Sequence, residues 1–332
     1  MKNYLIILSL FFSLAAIAQQ PEYPDSGFTN KAEAKNLTIN GLKEGKWLEY
    51  QVAHKLNEDS ISKIGDTIGY WLLVYKNDLP YGVDIRFNSK GVMIEKIPFM
   101  KGKMNGIKRT YFENGPIERE SPMINNKEEG IEIEYGANGR LSVTRSFKNG
   151  LANGTEIYYY NNGKPFVETN MKNGLNEGLS KEYDSSGHLV KETPYVNGEK
   201  NGVEKGYYDD GKLSYEIPYK HDEANGTEKD YYYNGVVKYL IKYKNGKPVG
   251  VGKEFQLSGE LMSTIPYSNG KENGIMKQYY PSGKLWGEVP YVNGSPNGVG
   301  KRYYENGKVK SETNYTNGSG TKNYDENGNE MK

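Results

Sequence analysis

Aromatic and glycine positions recur along this chain every 24 residues. Steps of 24 from Phe99 reach Met123, Phe147, Met171, Tyr195, Tyr219, Tyr243, Tyr267, Tyr291 and Tyr315. A second column holds Tyr111, Tyr135, Tyr159, Tyr183, Tyr207, Tyr231, Phe255, Tyr279 and Tyr303. A third is glycine throughout, from Gly106 through Gly202 to Gly298. A fixed period of about 20–50 residues marks an array whose units bury apolar surface only against their neighbours. Within each unit the signals are those of a β-hairpin. Asn114-Gly115, Asn162-Gly163, Asp210-Gly211, Ser258-Gly259 and Asn306-Gly307 share one column and supply the positive φ of tight turns. Helix is disfavoured, because glycine recurs too often and no 3.6-residue period is present.

The pattern predicts an all-β fold: an elongated, single-layer antiparallel β-hairpin solenoid of 24-residue repeats. Ten units of two strands, at about 4.8 Å each, give a sheet on the order of 95 Å long. The register follows from which face is apolar. A glycine-bulge turn that pairs Tyr207 with Tyr215, Lys205 with Ile217 and Val203 with Tyr219 collects Val203, Tyr207, Leu213, Ile217 and Tyr219 on one packed face. Lys205 then lies among them with its ammonium in water. Its column runs Lys181, Lys205, Lys229, Lys253, Lys277 and Lys301, balanced by Glu168, Glu192, Glu216, Glu288 and Glu312 on the following strand. Pro98, Pro122, Pro194, Pro218, Pro266 and Pro290 precede the aromatic anchor. Proline donates no ladder bond, so the second strand is expected to stop or bulge near Ile217, with a looser connection after it.

The organisation divides as follows. Residues 1–18 read as a signal peptide, with Lys2, the apolar run Leu5 to Ala18, and cleavage near Ala18/Gln19. That run is too short for a membrane span of ~20 residues. Residues 19–39 form a leader without the pattern. Residues 40–74 are a divergent N-terminal repeat with Gly45, Trp47 and Tyr50, carrying an insertion between Gln51 and Tyr70. Residues 75–314 hold ten in-phase repeats, and 315–332 a shortened C-terminal cap. Export to the periplasm or the exterior follows.

Composition narrows the function. The chain has 40 Gly, 30 Tyr and no Cys, with a mean hydropathy of −0.81. Disulfides and thiol chemistry are excluded. Without residues 1–18, and so without Lys2, 42 basic residues face 42 acidic ones. A neutral chain with no basic face is a poor match for nucleic acid.

The recurring Tyr-x-Asn-Gly-Lys-x-Asn-Gly core resembles the MORN repeat, and more closely its bacterial variant in YwqK-family antitoxin-type proteins. The resemblance covers residues 40–330. It implies hairpins stacked into an extended sheet, scaffolding and protein binding. The Trp of the standard Tyr-x-Gly-x-Trp pattern is absent.

No catalytic, metal or cofactor site is legible. His54, His188 and His221 lack ligand spacing, no serine lies in a nucleophile elbow, and no glycine pattern precedes a helix. The chain reads as a non-enzymatic, monomeric scaffold that binds a protein partner. Its candidate binding residues are the second aromatics Phe112, Tyr160, Tyr208, Tyr232, Tyr280 and Tyr304, since tyrosine favours interfaces. Binding of cell-envelope glycan through the same rings is the alternative, and toxin neutralisation the third reading.

Overall fold

The computed structural model describes residues 28, 30–52, 67–315 and 321–331. The signal-peptide reading at 1–18, most of the leader, most of the insertion and His54 fall outside them. The chain divides into two units at Gly163/Lys164. Each is an open antiparallel meander of hairpins. Apart from one 3-10 turn, Lys31–Glu33, every regular element among the described residues is a strand.

One repeat of the second unit illustrates the construction. Strand Gly202–Tyr207 pairs with Leu213–Lys220. Between them, Tyr208 N donates to Lys212 O at 2.8 Å and Gly211 N to Tyr208 O at 2.9 Å, with Gly211 at φ 81°. This is the expected glycine-bulge turn. A second, two-residue turn follows at His221 and Asp222, whose φ values of 51° and 62° are those of a type I′ hairpin. The short strand Glu223–Ala224 folds back on Lys220 and Tyr219. After Asn225 the strand Gly226–Tyr231 resumes the ladder, with Glu216 opposite Lys229. The stretch expected to be a loose connection is therefore an ordered second hairpin.

The register differs from the apolar-face expectation. Val203 pairs with Pro218, Glu204 with Ile217, Lys205 with Glu216 and Gly206 with Tyr215. The bulge shifts only the pair at the turn, where Tyr207 meets Leu213. Ile217 and Tyr219 thus share a face with Glu204, Gly206 and Tyr215, whereas Val203, Lys205, Tyr207, Leu213 and Glu216 belong to the opposite one. The first unit follows the same rule, with Lys108 opposite Ser121 and Arg109 opposite Glu120. The reason is that apolarity does not mark the packed side. Asp84, Glu95, Ser121, Glu132 and Glu156 of the first unit are buried there, as are Thr169, Ser180, Thr193, Glu204, Ser263 and Ser311 of the second. Ile97, Met123 and Val143 join them. Polar groups are tolerated at such positions when neighbours satisfy them.

The proline column also departs from the expectation. The strand does not stop at Ile217; it runs through Pro218 to Lys220. The irregularity lies in the next strand, which is interrupted opposite the missing N–H. Asn225 N still donates to Pro218 O at 2.8 Å. The pyrrolidine then fills the space beside the glycine column. A Cβ on Gly202 would stand 2.8 Å from Pro194 Cγ, and Gly202 sits at φ +125°. Both facts require glycine.

The N-terminal repeat follows the pattern, with Gly45 opposite the anchor Tyr75. Trp47 meets the Tyr75 ring edge-on at 6.0 Å. Phe28 and Leu72, each 1% exposed, add buried apolar surface there.

Candidate interaction surface

The packed face is a hydrogen-bonded polar layer. In the first unit Arg145 serves three carboxylates, at 2.7 Å to Glu156, 2.8 Å to Glu134 and 3.2 Å to Glu132. Ser121 donates to Glu132 at 2.8 Å. In the second unit Glu204 accepts from Lys200 at 2.7 Å, Thr193 at 3.1 Å and Tyr215 at 3.3 Å. A buried charge persists only with such partners. Asp84 has the poorest set. Its hydrogen bond from Val74 N is 3.4 Å long, and burial pushes its carboxyl up to about 7. The commitment of these groups to one another makes this face structural.

The opposite, open face carries a ladder. Tyr207 donates to Glu192 at 2.7 Å, Tyr231 to Glu216 at 2.8 Å and Tyr303 to Glu288 at 2.7 Å. Tyr135 and Tyr183 reach Glu120 and Glu168 at 3.3 and 3.4 Å. Burial, and then the bond to the carboxylate, push the hydroxyls of Tyr207, Tyr231 and Tyr303 up to about 12. The lysine column faces the same acids: Lys181 is opposite Glu192 and Lys205 opposite Glu216. Lys301 lies 3.1 Å from Glu312. Charges of the two signs therefore alternate along most of this face.

Beside the ladder runs an apolar column that the sequence reading did not single out. Leu179, Val203, Val251, Ile275 and Val299 are all exposed, from 38% at Leu179 to 54% at Val251. Across the hairpin stand Pro194, Pro218, Pro266 and Pro290 in the first four cases. Thr227 and Lys242 interrupt the row. The signal was present in the sequence as an aliphatic residue at 24-residue spacing, but the shifted register placed it in the core.

The six aromatics expected to bind a partner are half-buried. Four hydroxyls are spent on the next hairpin: Tyr208 donates to Tyr231 O at 2.6 Å, Tyr232 to Phe255 O at 2.9 Å, Tyr280 to Tyr303 O at 2.8 Å and Tyr304 to Tyr324 O at 2.9 Å. Phe112 and Tyr160 occupy the same column in the first unit. These four bonds latch their hairpins to the ones that follow and leave part of each ring at the surface.

His188 contacts Asp184 at 3.1 Å and His221 contacts Glu199 at 2.8 Å, both exposed. Among the described residues no group of three or more His, Asp or Glu could hold a metal ion. No helix there is long and apolar enough to cross a membrane.

Six stretches, 152–173, 176–197, 200–221, 224–245, 272–293 and 296–317, match the MORN repeat variant. These stretches are similar to MORN-variant repeats. Each matched stretch encloses one hairpin, and the unmatched residues between 245 and 272 form the same unit, with Gly250 opposite Tyr267. No curated protein matches the sequence. Among solved structures, TcdB2-TccC3 without its hypervariable C-terminal region is 14% identical, with a TM-score of 0.18 over 89% of this chain and 20% of that one. The Photorhabdus luminescens Tc holotoxin pore bearing a TccC3 mutation is 10% identical, with a TM-score of 0.15 over 77% of this chain and 18% of that one. This chain spans about a fifth of each, and superpositions this loose carry no information on its fold.

Proposed function

We propose that this MORN-variant protein is an exported, monomeric, non-catalytic scaffold that binds a protein partner across the open face of its hairpin sheet. The observation that supports this most is the exposed apolar column. On the side whose neighbours are charged and wet, exposed aliphatic side chains alternate with prolines from Leu179 to Pro218 and again from Val251 to Val299, and exposed apolar surface of this kind marks interaction sites. Aliphatic and proline groups suit a protein partner better than a sugar chain, which stacks on flat aromatic rings. The half-buried tyrosines contribute ring edges and, chiefly, hold the hairpins in register. Export rests on residues 1–18 and places the partner in the periplasm or outside the cell.

The test is photo-crosslinking from defined positions. A photoreactive side chain is placed at Val251 or at Ile275 and the protein is mixed with envelope extract of the source organism. The same discrete protein adduct from both positions, absent when the group is at Tyr233 on the turn edge, is the expected result. Retention on a glycan array that is lost on altering Val251, with no protein adduct, would replace this reading by the glycan one.

A further inference from the structure

Lysines accumulate where the ladder of the open face breaks. Strands Val237–Lys244 and Lys247–Phe255 hold Lys238, Lys242, Lys244, Lys247 and Lys253 against the single acid Glu254. Lys244 pairs directly with Lys247, an arrangement of like charges that weakens a sheet. On the open face Leu240 occupies the position held by Glu192, Glu216 and Glu288 in other repeats, and Thr264 the next one. Leu240 is flanked by Lys229 on one strand and Lys253 on the other, with Lys242 two residues along on its own side. All three lysines are exposed. Lys229 lies 3.8 Å from Glu216, which also stands opposite Lys205. Among the described residues no ion pair reaches Lys242 or Lys253. The tyrosine that would bond the missing acid is Phe255. The packing has thus adapted to the loss of the carboxylate, while the lysines that it would neutralise remain.

Resting on the reading of this face as a protein-binding surface, we propose that the lysine island around Leu240 binds an acidic, extended segment of the partner. Charge complementarity selects the acid, and exposed Val251 beside the island selects apolar residues between the acids. Spacing selects the conformation. Lys229 and Lys253 lie two strands apart, about 9.6 Å. A polyproline II chain, with three residues per turn at about 3.1 Å each, presents one side chain on the same side every ~9.3 Å. A segment with an acidic residue at every third position therefore meets both lysines with successive carboxylates.

The probe is a fluorescein-labelled peptide of repeated glutamate-proline-valine triplets. The control has the same composition with its glutamates grouped at one end. Both are titrated with the mature chain by fluorescence anisotropy at fixed ionic strength. Two variants complement each other. Lys242→Ser with Lys253→Ser removes the charges. Leu240→Glu with Phe255→Tyr restores the pair found in other repeats, and should fill the gap while keeping the parent melting temperature. Both are expected to weaken binding of the triplet peptide about tenfold or more. The proposal is overturned if the triplet peptide does not bind, if both variants bind it like the parent, or if the grouped-glutamate peptide or phosphatidylglycerol vesicles bind equally well at the same charge concentration. Persistence of the Val251 crosslink in the Leu240→Glu, Phe255→Tyr background would sink the island alone and leave the open-face reading standing.

Discussion

The hydroxyl of Tyr207 donates to Glu192, 15 residues earlier in the chain, at 2.7 Å. The same step links Tyr231 to Glu216 and Tyr303 to Glu288. At two repeats the column has phenylalanine instead, Phe87 and Phe255, and the acid position there is Leu72 and Leu240. Both partners change together at these two repeats, whereas at Tyr111, Tyr159 and Tyr279 the tyrosine is kept and Lys96, Thr144 and Thr264 stand in place of the acid. Tyr207→Phe alone should cost about 1–2 kcal/mol, and Glu192→Leu a similar amount. The double variant should cost less than the sum by about 1 kcal/mol. Urea midpoints of the four proteins check this, and simple additivity would contradict a specific pair.

The glycine columns should differ in tolerance. Gly202 lies at φ +125°, and a Cβ there would meet Pro194 Cγ at 2.8 Å, whereas at Gly198, with φ +87°, it would meet Leu175 Cδ2 at 3.4 Å. The Gly198 position is occupied by Asn126 and Asp222 in other repeats, at φ 69° and 62°. Gly202→Ala is expected to cost about 3 kcal/mol from strain and overlap. Gly198→Asn should stay within about 1 kcal/mol. Equal melting shifts would remove the steric explanation for the unbroken column.

Asp84 gives a pH signature. At 4% exposure, its carboxyl is pushed by burial up to about 7. The folded chain then holds a proton that the unfolded chain has lost, so stability falls as pH rises from about 4 through 7. Asp84→Asn should therefore stabilise by about 2–4 kcal/mol at pH 8, with the gain shrinking steadily toward pH 4. Thermal melts across that range test it, and a gain independent of pH would mean that the acid is not the cause.

The repeat length, the strand pairs and the glycine-bulge turn were legible because each depends on local chemistry. Gly211 at φ 81° is such a case. The register was not, because it depends on satisfaction across strands. Glu204 reads as a surface residue until Thr193, Lys200 and Tyr215 are seen around it. Arg145 likewise has no counterpart elsewhere in its column, and its three acids come from two different strands. The tyrosine–acid step and its two phenylalanine–leucine exceptions were in the sequence and would have fixed the register. So was the gap at Leu240 and Thr264, the two positions between Glu168 and Glu312 where the glutamate column is broken.

The sheet has two unlike faces: one closed over hydrogen-bonded carboxylates, the other lined by exposed aliphatic side chains. The chain has no cysteine, so single thiols can report on each face by their rate of labelling with a disulfide reagent. Val203→Cys replaces a residue 41% exposed and Thr193→Cys one 3% exposed. In the apolar-face register both would be buried. The structure predicts that Val203→Cys reacts within about tenfold of the denatured chain, while Thr193→Cys waits on local opening and reacts orders of magnitude more slowly. Equal protection of the two thiols would contradict the assignment of the faces, and with it the surface proposed to bind.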